Sequence, residues 1–261
     1  MGAVSFPGLS LAGRVAVVVG GTTGIGRAIS LGLADAGADV IASARGAANV
    51  DAAAAEIEAR GRRTLRARCD VADRESLDAL RDDVIAAFGR VDILVNCAGR
   101  TQRTPTLDVG EAEWNAILDT NLTGTLRACQ AFGRAMIERG YGRIINIASL
   151  GSFVALLEVA AYAASKAGVA SLTRQLAIEW GAKGVCVNAI MPGVFRTALN
   201  GGLLDGTARG QEFLLRTPMR RFGRLDELAG AAVFLASESA SFVNGEVLVV
   251  DGGFLASGVN Q

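Results

Sequence analysis

The sequence predicts an α/β fold of three layers, a parallel sheet with helices on both faces, and three observations lead there. Short, continuously apolar, β-branched runs such as Val15–Val19 suit strands that are covered on both sides. Stretches of helical length and spacing separate these runs, so strands and helices alternate along the chain. Small and polar residues gather where the strands end, and in sheets of this kind ligands bind at the carboxyl edge.

Taken in order, Val15–Val19 runs into Gly20-Gly-Thr22-Thr23-Gly24-Ile25-Gly26, and a helix is expected from Ile25 to about Ala36, stopped by Gly37. A strand, a glycine-rich turn and a helix start make a phosphate cradle. The backbone comes close where side chains are missing, and unpaired N–H groups face the anion. The second strand, Asp39 to Ser43, ends at Ala44-Arg45. In dinucleotide folds an acidic residue here holds the ribose 2′-hydroxyl, whereas an arginine accommodates a 2′-phosphate, so Arg45 predicts NADP(H) over NAD(H).

The alternation continues with a helix at Ala52–Ala59, a strand at Thr64–Cys69 ending at Asp70-Val71, a helix at Arg74–Phe88 and a strand at Val91–Val95. That strand ends in Asn96-Cys97-Ala98-Gly99. A long helical region from Glu111 to about Arg139 carries Trp114, Ile117, Leu118, Leu122, Leu126, Phe132 and Met136 at helical spacing, with Asn121 in its middle. Asparagine is a modest helix former, so Asn121 is either an exposed polar position or a residue facing a site. Arg143–Ala148 is the strand that delivers Ser149, the next helix carries Tyr162 and Lys166 and runs to Trp180, and Gly184–Ile190 is a further strand.

Composition narrows the chemistry. The chain has 261 residues, half of them apolar, enough for one large α/β domain. Basic and acidic residues balance at 26 each, which leaves no net field to recruit nucleic acid or an anionic membrane and favours a small neutral or singly charged substrate. With no histidine, His-based metal sites and Ser-His or Cys-His nucleophiles are excluded, no metal is expected, and reactivity falls to Tyr, Lys, Ser, Asn, carboxylates or a cofactor. The four scattered cysteines read as thiols of a reducing compartment. The stretch Met1–Pro7 has no charged and then apolar leader pattern, and no apolar run is long enough to span a bilayer, so a cytoplasmic protein is expected.

Tyr162-Ala-Ala-Ser-Lys166 stands out chemically. Residues four apart share one helix face, and a nearby ammonium lowers a phenol's pKa, which suits Tyr162 to exchange protons near neutral pH. The chain has only two tyrosines and two lysines, so the pairing is hard to dismiss as a packed ring beside a solvated cation.

Together these residues resemble the short-chain dehydrogenase/reductase family of the classical type, from Leu11 to about Phe254. The resemblance rests on Gly20/Gly24/Gly26, Asp70, Asn96-x-Ala98-Gly99, Asn121, Ser149, Tyr162-x-x-x-Lys166, Pro192-Gly193 with Thr197, and Asn244-Gly245 with Val250-Asp-Gly-Gly253. Val19 stands where the family often has threonine. The resemblance implies one Rossmann-type domain with a seven-stranded parallel sheet, Tyr162 as proton donor or acceptor, Lys166 on the nicotinamide ribose, Ser149 on the substrate oxygen and Asn121 in a proton relay. It also places the cofactor against Gly20, Thr22, Thr23, Gly24, Ile25, Gly26, Arg45, Asp70, Val71, Asn96, Ala98, Gly99, Tyr162, Lys166, Pro192, Gly193, Val194 and Thr197, and it implies a homotetramer.

Residues 194–225 are the segment expected to cover the substrate, and Arg100, Arg103, Arg196 and Arg216 are candidate carboxylate grips there. The Arg216-Thr-Pro-x-x-Arg-x-Gly passage is similar to the sugar-acid branch, the gluconate 5-dehydrogenases, so a keto sugar acid or polyol is the first expectation and 3-oxoacyl carrier-protein reduction the second. A nucleotide-sensing protein without turnover is a third reading, opposed by the complete Asn121, Ser149, Tyr162 and Lys166 set. The helix from Ala160 to Trp180 is rich in small residues that allow close helix approach, which fits assembly.

Overall fold

The computed structural model describes residues 7–197 and 200–258; Met1–Phe6, on which the reading of the N-terminus chiefly rests, lie outside the described residues. Six parallel strands form one sheet: β1 Val15–Val19, β2 Asp39–Ser43, β3 Ile93–Asn96, β4 Gly142–Ile147, β5 Val185–Pro192 and β6 Val247–Val250, in the order β2-β1-β3-β4-β5-β6. The strand order reverses beside β1, where β2 lies on one side and β3 on the other. That switch point opens a crevice at the carboxyl edge.

The apolar runs serve two cores at once, because successive side chains of a strand point to opposite faces. Ala16 and Val18 pack with Ile29 and Leu33 of α1 (Gly24–Asp35) and with Leu228, Ala232 and Leu235 of α9 (Asp226–Ala236). Val15, Val17 and Val19 face the other way, onto Leu77, Leu80 and Val84 of α3 (Arg74–Phe88), Phe132 and Met136 of α5 (Gly124–Arg139), and Leu176 of α6 (Ala160–Trp180). The three-layer expectation therefore holds, with α2 at Ala47–Glu58 completing the first half.

The seven-stranded sheet needs correction, since six strands form among the described residues. The expected strand Thr64–Cys69 is extended and lies along β2, but it is held only near its ends. The Val40 amide donates to the Arg63 carbonyl at 3.1 Å, the Cys69 amide donates to the Ala44 carbonyl at 3.0 Å, and Ala44 and Arg68 form a single bridge. Six residue steps on this segment face four on its partner, so a continuous ladder cannot stay in register. Arg66 instead turns outward to Glu58, at 2.7 Å.

The long helical region is also interrupted. α4 (Glu111–Leu118) passes into α5 through a π-turn at Asp119–Thr123, and Asn121 sits inside it, fully buried. A π-turn inserts an extra residue and rotates the following face, a distortion found often at functional sites. Here it aims Asn121 inward and leaves α5 in phase with the core. Among the described residues, no helix is long and apolar enough to cross a membrane.

Candidate active site

The glycine turn after β1 is shaped by close approach. A Cβ on Gly26 would lie 2.0 Å from the Gly20 carbonyl oxygen, and one on Gly20, where φ is +79°, would lie 2.5 Å from the Ala98 amide nitrogen. Gly20 thereby lets the turns after β1 and β3 touch, with no side chain between them. The Arg27 amide donating to the Thr23 carbonyl is the first bond of α1, which leaves the amides of Gly24, Ile25 and Gly26 without a helical acceptor. Thr22 is buried and Thr23 exposed at the helix start. Such a cradle fits a phosphate group, and the positive end of the helix adds to it.

The other cofactor candidates divide. Arg45 is exposed at the end of β2, with its guanidinium unpaired among the described residues, while its carbonyl accepts from Arg68 Nε at 2.8 Å. Asp70 Oδ1 accepts from the Ala72 amide at 3.0 Å, closing a local turn, and Val71 is buried against Gly124. Asn96 faces the core: its Nδ2 donates to Asn146 Oδ1 at 2.9 Å, across the in-register pair of β3 and β4. Pro192 ends β5, Gly193 packs on Asp251, Val194 accepts from the Gly223 amide at 2.9 Å, and a Cβ on Gly24 would lie 3.6 Å from Thr197 Cγ2. Thr197 thus stands over the start of α1, its hydroxyl bonded to Asn200 Oδ1 at 3.1 Å.

The proposed reacting groups converge beside this crevice. Lys166 is buried, its Nζ donates to the Ile147 carbonyl at 2.6 Å and lies 5.9 Å from the centre of the Tyr162 ring. Ser149 leaves β4 as the N-cap of a short 3-10 turn, Leu150–Ser152; its hydroxyl accepts from the Gly151 amide at 3.3 Å and lies close enough to the Tyr162 phenol to act on its pKa. Gly99 lies between Asn121 and Lys166: a Cβ there would be 3.4 Å from Asn121 Oδ1 and 3.8 Å from Lys166 Nζ. The Asn121 amide grips the next residue at both backbone groups, accepting from the Arg100 N–H at 2.8 Å and donating to the Arg100 carbonyl at 2.9 Å.

The electrostatics correct one expectation. Burial pushes the Tyr162 phenol above its ordinary pKa, the Ser149 hydroxyl opposes this, and Lys166 is not among the groups that set it. Burial acts on Lys166 as well, lowering its ammonium to about 8. In this arrangement desolvation outweighs the effect of the Ser149 hydroxyl, so Tyr162 is held as an acid.

Three further residues take part that the sequence reading did not single out. Ser165 Oγ donates to the Tyr162 carbonyl at 2.7 Å and accepts from Asn121 Nδ2 at 3.0 Å, tying the π-turn to α6. Ser152 Oγ donates to the Lys166 carbonyl at 2.8 Å and accepts from the Ser149 amide at 3.4 Å. Cys97 is near enough to Tyr162 and Lys166 to influence both, and burial pushes its thiol up to about 11. Ser165 was visible inside the Tyr-x-x-x-Lys motif and Cys97 inside Asn96-x-Ala98-Gly99; nothing local marked Ser152.

The chain is similar to known dehydrogenases and reductases. A family profile described as enoyl-(acyl carrier protein) reductase matches residues 19–255. The chain is 44% identical over 244 residues to D-threitol dehydrogenase of Mycolicibacterium smegmatis, covering 94% of each chain. It is 42% identical to 2-dehydro-3-deoxy-D-gluconate 5-dehydrogenase of Pseudoalteromonas atlantica, covering 94% of this chain and 97% of that one. A crystal structure of a gluconate 5-dehydrogenase from Burkholderia cenocepacia, in complex with NADP and tartrate, superposes with a TM-score of 0.92 at 39% identity, covering 96% of this chain and 98% of that one.

Proposed function

The chain belongs to the short-chain dehydrogenase/reductase family and acts on CH–OH groups, and from that premise we propose that it interconverts a secondary alcohol and a ketone with NADP(H), on a keto sugar acid or polyol. The observation that carries this reading is the convergence of Ser149, Tyr162 and buried Lys166 beside a glycine cradle that a Cβ would fill. A nicotinamide cofactor held against the glycine cradle would supply or accept the hydride. In reduction, the Tyr162 hydroxyl gives its proton to the carbonyl oxygen while the Ser149 hydroxyl donates a hydrogen bond to that same oxygen as charge develops. Lys166, held by the Ile147 carbonyl, would hold the nicotinamide ribose, and Asn121 fixes the Arg100 backbone beside it. The whole chain serves as one catalytic domain, with 194–225 covering the substrate.

Turnover of a keto-gluconate or ketose against an acetoacetyl thioester, both with NADPH, tests the assignment. Activity on the thioester alone would reverse it in favour of a 3-oxoacyl carrier-protein reductase. Because burial holds the phenol above its ordinary pKa, alcohol oxidation, which needs the phenolate, is expected to accelerate about tenfold per pH unit between about pH 6 and 7.5, below the range in which Lys166 releases its own proton. Ketone reduction uses the protonated form and stays flat there. Initial rates in both directions check this, and a reduction rate that drops between those limits would contradict it.

Arg45, exposed and unpaired among the described residues, is assigned to the 2′-phosphate. Arg45→Ala is expected to raise KM for NADPH about tenfold and leave NADH nearly unchanged. Equal effects on both cofactors would remove that role. Assembly as a homotetramer is proposed through α6, whose exposed stripe of Ala164, Ala167, Ser171 and Ile178 presents small residues and one large apolar side chain. Light scattering that gives a monomer mass would refute it. Gly168 is not part of that stripe, since it packs internally against Leu122.

A further inference from the structure

Four arginines are candidates to hold a substrate carboxylate, and three of them are already taken. Arg196 Nε donates to both Asp205 oxygens, at 2.8 and 2.9 Å, Arg216 pairs with Glu212 at 3.1 Å, and Arg103 Nε pairs with Glu158 Oε2 at 2.5 Å. We infer that the Arg103–Glu158 pair sets the substrate class, selecting an uncharged polyol or ketose over a sugar acid. This rests on the alcohol–ketone chemistry assigned to Tyr162 above.

The pair joins the two segments that lead to and from the reacting groups. Arg103 lies four residues after Gly99, the glycine beside Lys166, on the segment that leaves β3. Glu158 lies four residues before Tyr162, on the segment that leaves β4 and enters α6. The Thr104 amide donates to the Glu158 carbonyl at 2.9 Å, so backbone and side chain both join the two segments. Arg209 of α8 (Ala208–Arg216) donates to the Leu157 carbonyl at 3.4 Å, which brings the covering segment to the same place. Glu158 itself has a φ of +65°, a left-handed conformation that a glutamate keeps only where surrounding contacts hold it.

The chemistry follows from what the pair leaves open. A sugar acid arriving here meets a guanidinium whose charge is already matched, and it brings a second carboxylate next to that of Glu158. Hydroxyl groups meet no such penalty. The pair uses Arg103 Nε and Glu158 Oε2, and among the described residues the Arg103 Nη groups and Glu158 Oε1 make no other hydrogen bond. It therefore offers donors and acceptors side by side, and neighbouring hydroxyls of a polyol, each both donor and acceptor, match that.

The experiment compares kcat/KM for D-glucitol and D-gluconate with NADP⁺, in the wild type and in Glu158→Gln and Arg103→Met. The wild type should prefer glucitol. Glu158→Gln, which frees the guanidinium, should raise the gluconate-to-glucitol ratio about tenfold, mainly through KM. Arg103→Met, which leaves the carboxylate alone, should lower the ratio further, so the two ends of one pair move it in opposite directions. If Glu158→Gln does not fold, the fall in Arg103→Met decides. A wild type that prefers gluconate, a preference abolished by Arg100→Gln, or a ratio that neither variant moves would overturn the charge selection and leave the alcohol–ketone reading standing. Turnover of neither compound, with Tyr162-dependent reduction of an acetoacetyl thioester, would overturn both.

Discussion

Tyr162→Phe is expected to lower kcat about a thousandfold while the protein folds normally and binds NADPH within about twofold of the wild type. The substitution removes one hydroxyl and keeps the ring. That hydroxyl lies near Ser149, which is only partly buried and can turn to water, so the loss costs the fold little. What disappears is the proposed proton donor, and the cluster offers no ready replacement, because Lys166 is committed to the Ile147 carbonyl and Cys97 holds its proton up to about pH 11. Ser149→Ala should be milder, about a hundredfold, since it removes a hydrogen bond to the developing charge and leaves the proton donor. Stopped-flow measurement of NADPH oxidation, with fluorescence titration of the cofactor, separates the two effects. A Tyr162→Phe protein with near-normal turnover would end the mechanism.

The parts of this site that could be read from the sequence are those encoded by local periodicity. Val15–Val19 is apolar throughout because both faces of β1 are covered, and that pattern needs no knowledge of partners. The spacing of Tyr162 and Lys166 likewise carries its own geometry, since one helix turn places them together. Thr64–Cys69 misled because its composition suits a strand, whereas ladder formation depends on matching lengths with β2, and six steps do not match four. Asn121 was ambiguous for a similar reason. Only the π-turn decides that it faces inward, and that turn is stabilised by contacts with Arg100 and Ser165, 21 and 44 residues away in the chain. Arg103 and Glu158 are further still from any local rule: each reads as a surface charge until the segments after β3 and β4 are brought together. The direction of the Tyr162 shift was missed because desolvation is a property of the assembled fold, and the neighbouring lysine is the only part of it that the sequence displays.

Lys166→Met is expected to reduce kcat/KM at least about a hundredfold and, at pH 7, to make the protein more stable. Burial lowers the ammonium from its ordinary 10.5 to about 8, which corresponds to about 3 kcal/mol of destabilisation while the group is charged. Removing it also forfeits the contact with the Ile147 carbonyl, worth about 1–2 kcal/mol. The methionine fills similar volume without charge, so the balance favours the variant by about 1–2 kcal/mol, or roughly 2–5 °C in Tm for a chain of this size. The pH dependence gives the sign independently. Below about pH 8 the lysine is protonated in both folded and unfolded chains, and its burial cost is present in full. Above that value the folded chain releases the proton while the unfolded chain keeps it until about 10.5, so the wild type gains stability over that window and the advantage of the variant shrinks. Thermal melts of both proteins at pH 7 and pH 9.5 test this directly. A variant that melts several degrees below the wild type at pH 7, or a gap that widens at pH 9.5, would mean that Lys166 is retained for the fold; the expected result means that a buried cation is kept at a cost to stability for the sake of the proposed turnover.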